Sequence, residues 1–183
     1  VLIDMLPKVE IRLSWPYNHV LSDDFSYKAY RANPVKEIKK SQIKFKKFEK
    51  RTKTFQKVFK KNSKKILSLI EKYSGYVWKG QHIPVYLVDM TQKPSFADPL
   101  TLKFREDIDL MLILVIHELA HLNIPGKMQW DAGAKFSEQW VNLITRNVAL
   151  ELGLDLNKAS MGNFSEALEL GWDLKKKSLR KYL

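Results

Sequence analysis

Beyond its first turn, the stretch 106–123 is apolar almost all round, and it predicts a helix with no face left for water. Leu110, Met111, Leu112, Ile113, Leu114, Val115 and Ile116 form an unbroken apolar run. Such a helix has to be buried on several sides, so the rest of a 183-residue chain must be built around it. Glu106, Asp107 and Asp109 at its start suit the positive end of the helix dipole. Pro125 and Gly126 end it. Into this apolar setting, ahead of the closing Asn123, the sequence places His117, Glu118 and His121.

His117 and His121 stand four apart, so they are neighbours on one helix face. Two imidazoles at that spacing can hold one Zn²⁺. Glu118 is one residue on and points beside such a metal. There it can take a proton from a water held by the metal and later pass it to a leaving amine. The chain has four histidines, and two of them are used here. It has no cysteine, so any metal site must draw on His, Asp or Glu.

A catalytic zinc needs a third protein ligand and an open position. Glu138 lies on the next predicted helix, 131–152, at the edge of the stripe formed by Val141, Ile144, Thr145, Val148 and Leu152. A carboxylate there is poorly placed for water and well placed for a metal. Asp131 is its main rival and stands where a helix cap belongs. Glu151, on another side of the helix, is the weakest of the three. The metzincin pattern fails, because Ile124 and Lys127 stand where that class needs glycine and histidine.

The run His117-Glu118-Leu119-Ala120-His121 on one helix, with Glu138 on the next, resembles the gluzincin zinc metallopeptidases. The small size, with a few strands ahead of the motif helix, is similar to the minigluzincins. This resemblance covers roughly residues 82–152. It implies that His117, His121 and Glu138 bind zinc and that Glu118 is the general base and acid of an endopeptidase acting on a peptide or protein substrate. It also implies that the strand at 100–104 is a sheet edge that holds the substrate in extended form. Larger gluzincins place an acidic residue one turn after the glutamate ligand to steady a zinc-binding histidine; here that position is Asn142. No oxyanion-stabilising residue is assigned: His19, His82, Tyr17, Tyr86 and Tyr182 lack a recognisable context, and core packing is the expected role of the tyrosines.

The net charge of +12 is confined to one segment. Residues 34–72 carry 15 Lys or Arg against 3 Asp or Glu, and the rest of the chain is balanced. Asn33 as cap and Pro34 at the first position start a helix. Its apolar stripe runs through Ile38, Phe45, Phe48, Phe55, Phe59, Ile66, Leu69 and Tyr73, ending at Gly75, as one helix or as two broken near Asn62 and Ser63. Lysines occupy the other faces. A solvated face is one reading of them. A second is contact with an anionic surface, nucleic acid or lipid. A third is a regulatory segment over a cleft. Taken alone, the basic helix supports an alternative function, a nucleic-acid-binding or regulatory module in which the metal is structural or lost.

Alternation at 9–15 predicts a half-buried strand, and 83–88 and 100–104 predict two more. Residues 16–24 and 92–99 read as loops, and 165–182 as a last helix capped by Ser165. The expected fold is α+β: a small mixed or antiparallel sheet packed on a buried active-site helix, with a long basic amphipathic helix and a C-terminal helix. All of residues 1–183 are expected to form a single domain, with a basic segment at 34–75 and a catalytic core at 82–152. With no basic, apolar leader in the first 15 residues and no run long enough to span a bilayer, a cytoplasmic location is expected.

Overall fold

The computed structural model describes residues 6–21, 26–80, 82–89, 95–97, 99–158 and 164–183. In chain order, β1 (Lys8–Arg12) precedes α1 (Trp15–Leu21), α2 (Tyr27–Ala32) and α3 (Pro34–Ser74). The strands β2 (His82–Val88), β3 (Ser95–Ala97) and β4 (Leu100–Lys103) follow. Next come α4 (Ile108–Asn123), α5 (Gly126–Ala132), α6 (Ala134–Leu152) and α7 (Phe164–Leu168), with short 3₁₀ turns at Leu156–Lys158 and Leu179–Lys181. The fold is α+β. Two compact units share the chain. A sheet unit takes in Val9–Lys60 and His82–Glu106; a helical unit takes in Val1–Lys8, Lys61–Gln81 and Asp107–Leu183.

Helix α3 belongs to both units and begins where the cap signal stands. The Asn33 side-chain oxygen accepts from the Lys36 amide at 3.1 Å. There is no break at Asn62 and Ser63. Neither residue is a strong helix breaker, and the apolar stripe continues across them from Phe59 to Ile66. Phe45, Phe48, Phe55, Phe59, Ile66, Leu69 and Tyr73 are all buried. The helix stops at Gly75, whose φ of 79° is open to glycine and strained for other residues.

In the sheet unit the strand order is β1-β2-β4-β3. β2 pairs parallel with β4, Leu87 opposite Leu102; β3 pairs antiparallel with β4, Phe96 opposite Thr101. The strand implied to be a substrate-binding sheet edge, 100–104, is therefore an interior strand. Leu100, Thr101 and Leu102 are buried, as a strand flanked on both sides requires. The edge positions fall to β1 and to β3, the latter in a stretch that reads as a loop because its residues carry no alternating pattern. The expected loop at 16–24 is also corrected: 15–21 is helical. Pro16 lies in the first turn of α1, where no amide donor is needed. That helix is tied down at three points. The Trp15 indole donates to Ser41 Oγ at 2.9 Å, the Tyr17 hydroxyl meets Thr101 Oγ1 at 2.8 Å, and Asn18 Oδ1 accepts from the Asp89 amide at 2.7 Å.

The helical unit is built around α4, as its composition demands. Met111, Ile113, Val115, Ile116, Leu119 and Ala120 are fully buried, and Ile113 packs with Ala149 of α6. Asp107 caps α4, accepting from the Asp109 and Leu110 amides at 3.0 and 3.1 Å. The end of α3 is joined to this core by polar contacts. Tyr73 and Lys72 both donate to Glu151 of α6, and Ser74 donates to Asn123 of α4. The expected helix 131–152 is two helices, because Gly133 (φ 78°) breaks the chain between α5 and α6. The expected last helix 165–182 is reduced to α7 and a 3₁₀ turn, with Gly171 at positive φ after α7. Among the described residues, no helix is long and apolar enough to cross a membrane.

Phe55 is fully buried and stacks on Phe59 with ring centroids 6.0 Å apart. Phe55→Ala is expected to cost about 3–5 kcal/mol, whereas Thr54→Ala next to it should stay within about 0.5 kcal/mol. Chemical denaturation of the two variants checks this.

Candidate metal centre

Four side chains of the helical unit converge at one point, from three helices. His117 and His121 project from one face of α4, one turn apart, with ring centroids 4.8 Å apart. Glu138 comes from the first turns of α6, and Gln129 from α5. The break at Gly133 separates the last two, so each can reach back toward α4 on its own helix. His117 is buried, His121 is partly covered, and the Glu138 side chain is about half exposed (52%). The cluster therefore has a buried floor and an open side.

The distances within it are short and nearly equal. His117 Nε2 lies 3.2 Å from His121 Nε2 and 3.4 Å from Glu138 Oε2. His121 Nε2 lies 3.2 Å from Glu138 Oε1. A tetrahedron with zinc–ligand bonds of about 2.0–2.1 Å has edges of about 3.3–3.4 Å. The three donors are thus spaced as ligands of a single small cation would be. Among the described residues, this is the one group of three such side chains able to hold a metal.

Gln129 decides which nitrogen of His121 carries its proton. The Gln129 amide nitrogen donates to the backbone carbonyls of His121 and Ile124, at 2.7 and 2.8 Å. Those two bonds fix the orientation of the amide, so its oxygen must be the atom facing His121 Nδ1 at 2.9 Å. That oxygen also accepts from Ser137 Oγ at 3.1 Å. An amide oxygen can only accept, so His121 Nδ1 carries a hydrogen. In the neutral ring, Nε2 then holds a lone pair aimed at Glu138 and His117. Ring orientation fixed by an outer hydrogen bond is what a metal-binding histidine requires.

Electron-pair donors this close repel one another unless positive charge lies among them. Without a metal, a proton has to serve. Burial drives the His121 pKa down, but hydrogen bonds to Glu138 and Gln129 outweigh it, the Glu118 charge adds to them, and the net shift is upward. Hydrogen bonds with His117 and then His121 hold the Glu138 carboxyl far below the usual carboxylate range. His117 Nδ1 is buried and makes no hydrogen bond among the described residues.

The expected ligands His117, His121 and Glu138 are therefore brought together. Glu118, the expected general base, lies next to His117 on α4 and is partly exposed. Asp131 is not: it is exposed within α5, not at a helix cap, and Gly133 precedes α6 instead. Glu151 is engaged by Lys72 and Tyr73. The outer partner of His121 is Gln129 rather than Asn142. Gln129 escapes sequence reasoning because nothing in the stretch 125–130 has a periodicity that would aim a side chain. Of the other polar candidates, His82 meets Glu10 at 3.0 Å, His19 stacks on Trp15, Tyr17 packs edge-on against Tyr86, and Tyr182 stacks on Trp172. The chain matches no family model, no curated protein and no solved structure.

Gln129→Ala is expected to weaken zinc affinity by about 10–100-fold, measured by chelator competition, with the helical content unchanged. The pH dependence has a definite sign. Because its pKa is raised, His121 keeps its proton to higher pH than an ordinary histidine, and a metal must displace that proton. Zinc affinity should therefore fall as pH drops through the His121 value, above the ordinary 6.5. The metal-free protein behaves oppositely: the His121–Glu138 ion pair stabilises it at lower pH and is lost as pH rises through that value.

Proposed function

We propose that the chain is a zinc-dependent metallopeptidase of gluzincin type, hydrolysing bonds within a peptide or protein substrate. The observation that carries this reading is the spacing of His117, His121 and Glu138, three donors set as three corners of a tetrahedron with one side open to solvent. A closed structural site would use a fourth protein ligand, and a catalytic one leaves a position free.

In this reading His117, His121 and Glu138 hold the metal. Zinc bound there supplies a Lewis acid that polarises a carbonyl and lowers the pKa of water toward neutrality. Glu118 is the chain's own proton carrier. It lies outside the ligand triangle, one residue from His117, and its charge is felt at His121. As a carboxylate it accepts a proton from the attacking water while the new carbon–oxygen bond forms. As an acid it returns that proton to the amine when the carbon–nitrogen bond breaks. Gln129 holds His121 in the tautomer that leaves Nε2 free to ligate. The apolar body of α4 keeps the floor of the site dry, which strengthens every charge interaction above it.

Two substitutions separate the roles. Glu118→Ala should abolish cleavage of a casein or mixed-peptide substrate while about one zinc per chain remains bound, measured by elemental mass spectrometry. Glu138→Ala should lose the zinc itself. Retained cleavage in the first variant, or full zinc in the second, would contradict the assignment.

A further inference from the structure

Helix α3 presents a face that the metal centre does not use. Within the sheet unit, Lys36, Lys39, Lys46, Lys50, Lys53 and Lys57 recur at steps of three, four and seven residues, so they share one side of the helix. Lys40 and Lys47 flank that row. All eight are exposed, and none is in an ion pair among the described residues. Of the two acidic residues of this stretch, Glu37 falls on the opposite side of the helix by the same periodicity, and Glu49, three residues after Lys46 and four before Lys53, borders the row. From Lys36 to Lys57 the row is about 32 Å long, close to one turn of a nucleic-acid duplex.

We infer that this lysine face is a docking surface for duplex nucleic acid, bound through its phosphates without regard to sequence. Charge complementarity along a rigid rod is the first argument. A duplex carries one negative charge per about 1.7 Å, and lysines neutralising them release condensed counterions. The character of the side chains is the second. Base edges are read by arginine or lysine on guanine and by asparagine or glutamine on adenine, and arginine's planar fork suits two bonds to one base better than lysine's point charge. Arg51, the one arginine of α3, is held by Asp89 at 2.7 Å and Glu106 at 2.5 Å. What remains exposed along the row is chiefly lysine, with Gln42 and Ile43 among it, and lysine contacts phosphate as a point charge.

An anionic membrane is the other polyanion of this kind, and α3 is badly made for it. A helix that lies in a bilayer interface needs its own apolar stripe to enter the lipid. Here that stripe is already used: Phe45, Phe48, Phe55 and Phe59 are buried in the protein. The only large apolar side chains it leaves exposed among the described residues are Val35 and Ile43.

This inference is independent of the metal centre, and so is its test. Binding of the full chain to a fluorescent DNA duplex of about 20 base pairs and arbitrary sequence is followed across a salt series. With about six phosphates contacted, affinity should fall on the order of 10³-fold between about 50 and 200 mM salt. The variant carrying Lys46→Gln, Lys50→Gln, Lys53→Gln and Lys57→Gln should lower the slope of log affinity against log salt by about 3 to 4. Its circular dichroism and zinc content should match the parent, since all four side chains are exposed. No duplex binding at low salt, binding that ignores salt, or a variant with an unchanged slope would each overturn the proposal. So would binding to phosphatidylserine vesicles in the absence of duplex binding, which would reassign the face to lipid.

Discussion

Burial of α4 is the constraint on which the helical unit depends. A helix with leucine, isoleucine, valine and methionine on nearly every side cannot sit at a surface, so the end of α3 and the length of α6 close over it. That enclosure takes His117 out of water along with its apolar neighbours. A buried imidazole is costly unless its nitrogens find partners. For His117 Nε2 the partner is Glu138 of α6, and the same closure that forms the core thereby gathers the donor cluster. Core and site are one construction here: loosening α6 from α4 would expose Ile113 and Ala149 and move Glu138 away from both rings.

Within the cluster, geometry and electrostatics make the same demand. Three acceptors 3.2–3.4 Å apart require a hydrogen or a cation between them, and Gln129 removes the option of pointing the His121 proton inward while the ring is neutral. A proton and the proposed metal would therefore compete for one place. Polar contacts at the periphery, from Tyr73 and Lys72 to Glu151 and from Ser74 to Asn123, hold the end of α3 against α4 and α6. Glu151, one of the three carboxylates after the motif that sequence offers as a ligand, is committed to that structural task.

Helix α3 divides its labour between two faces. Its aromatic stripe anchors it over most of its length, and this anchoring is what allows so many lysines to stand side by side. Like charges three and four residues apart on a helix repel and would weaken an isolated one. Burial of four phenylalanines in the sheet unit outweighs that repulsion, since each large apolar side chain buried contributes about 1.5–3 kcal/mol. A polyanion laid along the lysine row would relieve it further.

What sequence alone determined were the features carried by local spacing. The four-residue separation of His117 and His121, the Asn33-Pro34 start, the seven-residue aromatic stripe and the all-apolar turns of α4 each follow from helix geometry within a few residues. Sequence also held Glu138 ahead of Asp131 and Glu151, because its place beside an apolar stripe is a periodic property. Only the tertiary structure decided the rest. Gln129 acts through bonds to residues five and eight positions away across a turn, and no pattern encodes that direction. The Gly133 break depends on a positive φ that a glycine permits but does not require. That β4 is interior depends on β2 and β3 arriving on either side of it, a matter of pairing between distant segments, which burial of the finished sheet selects and a single strand cannot announce.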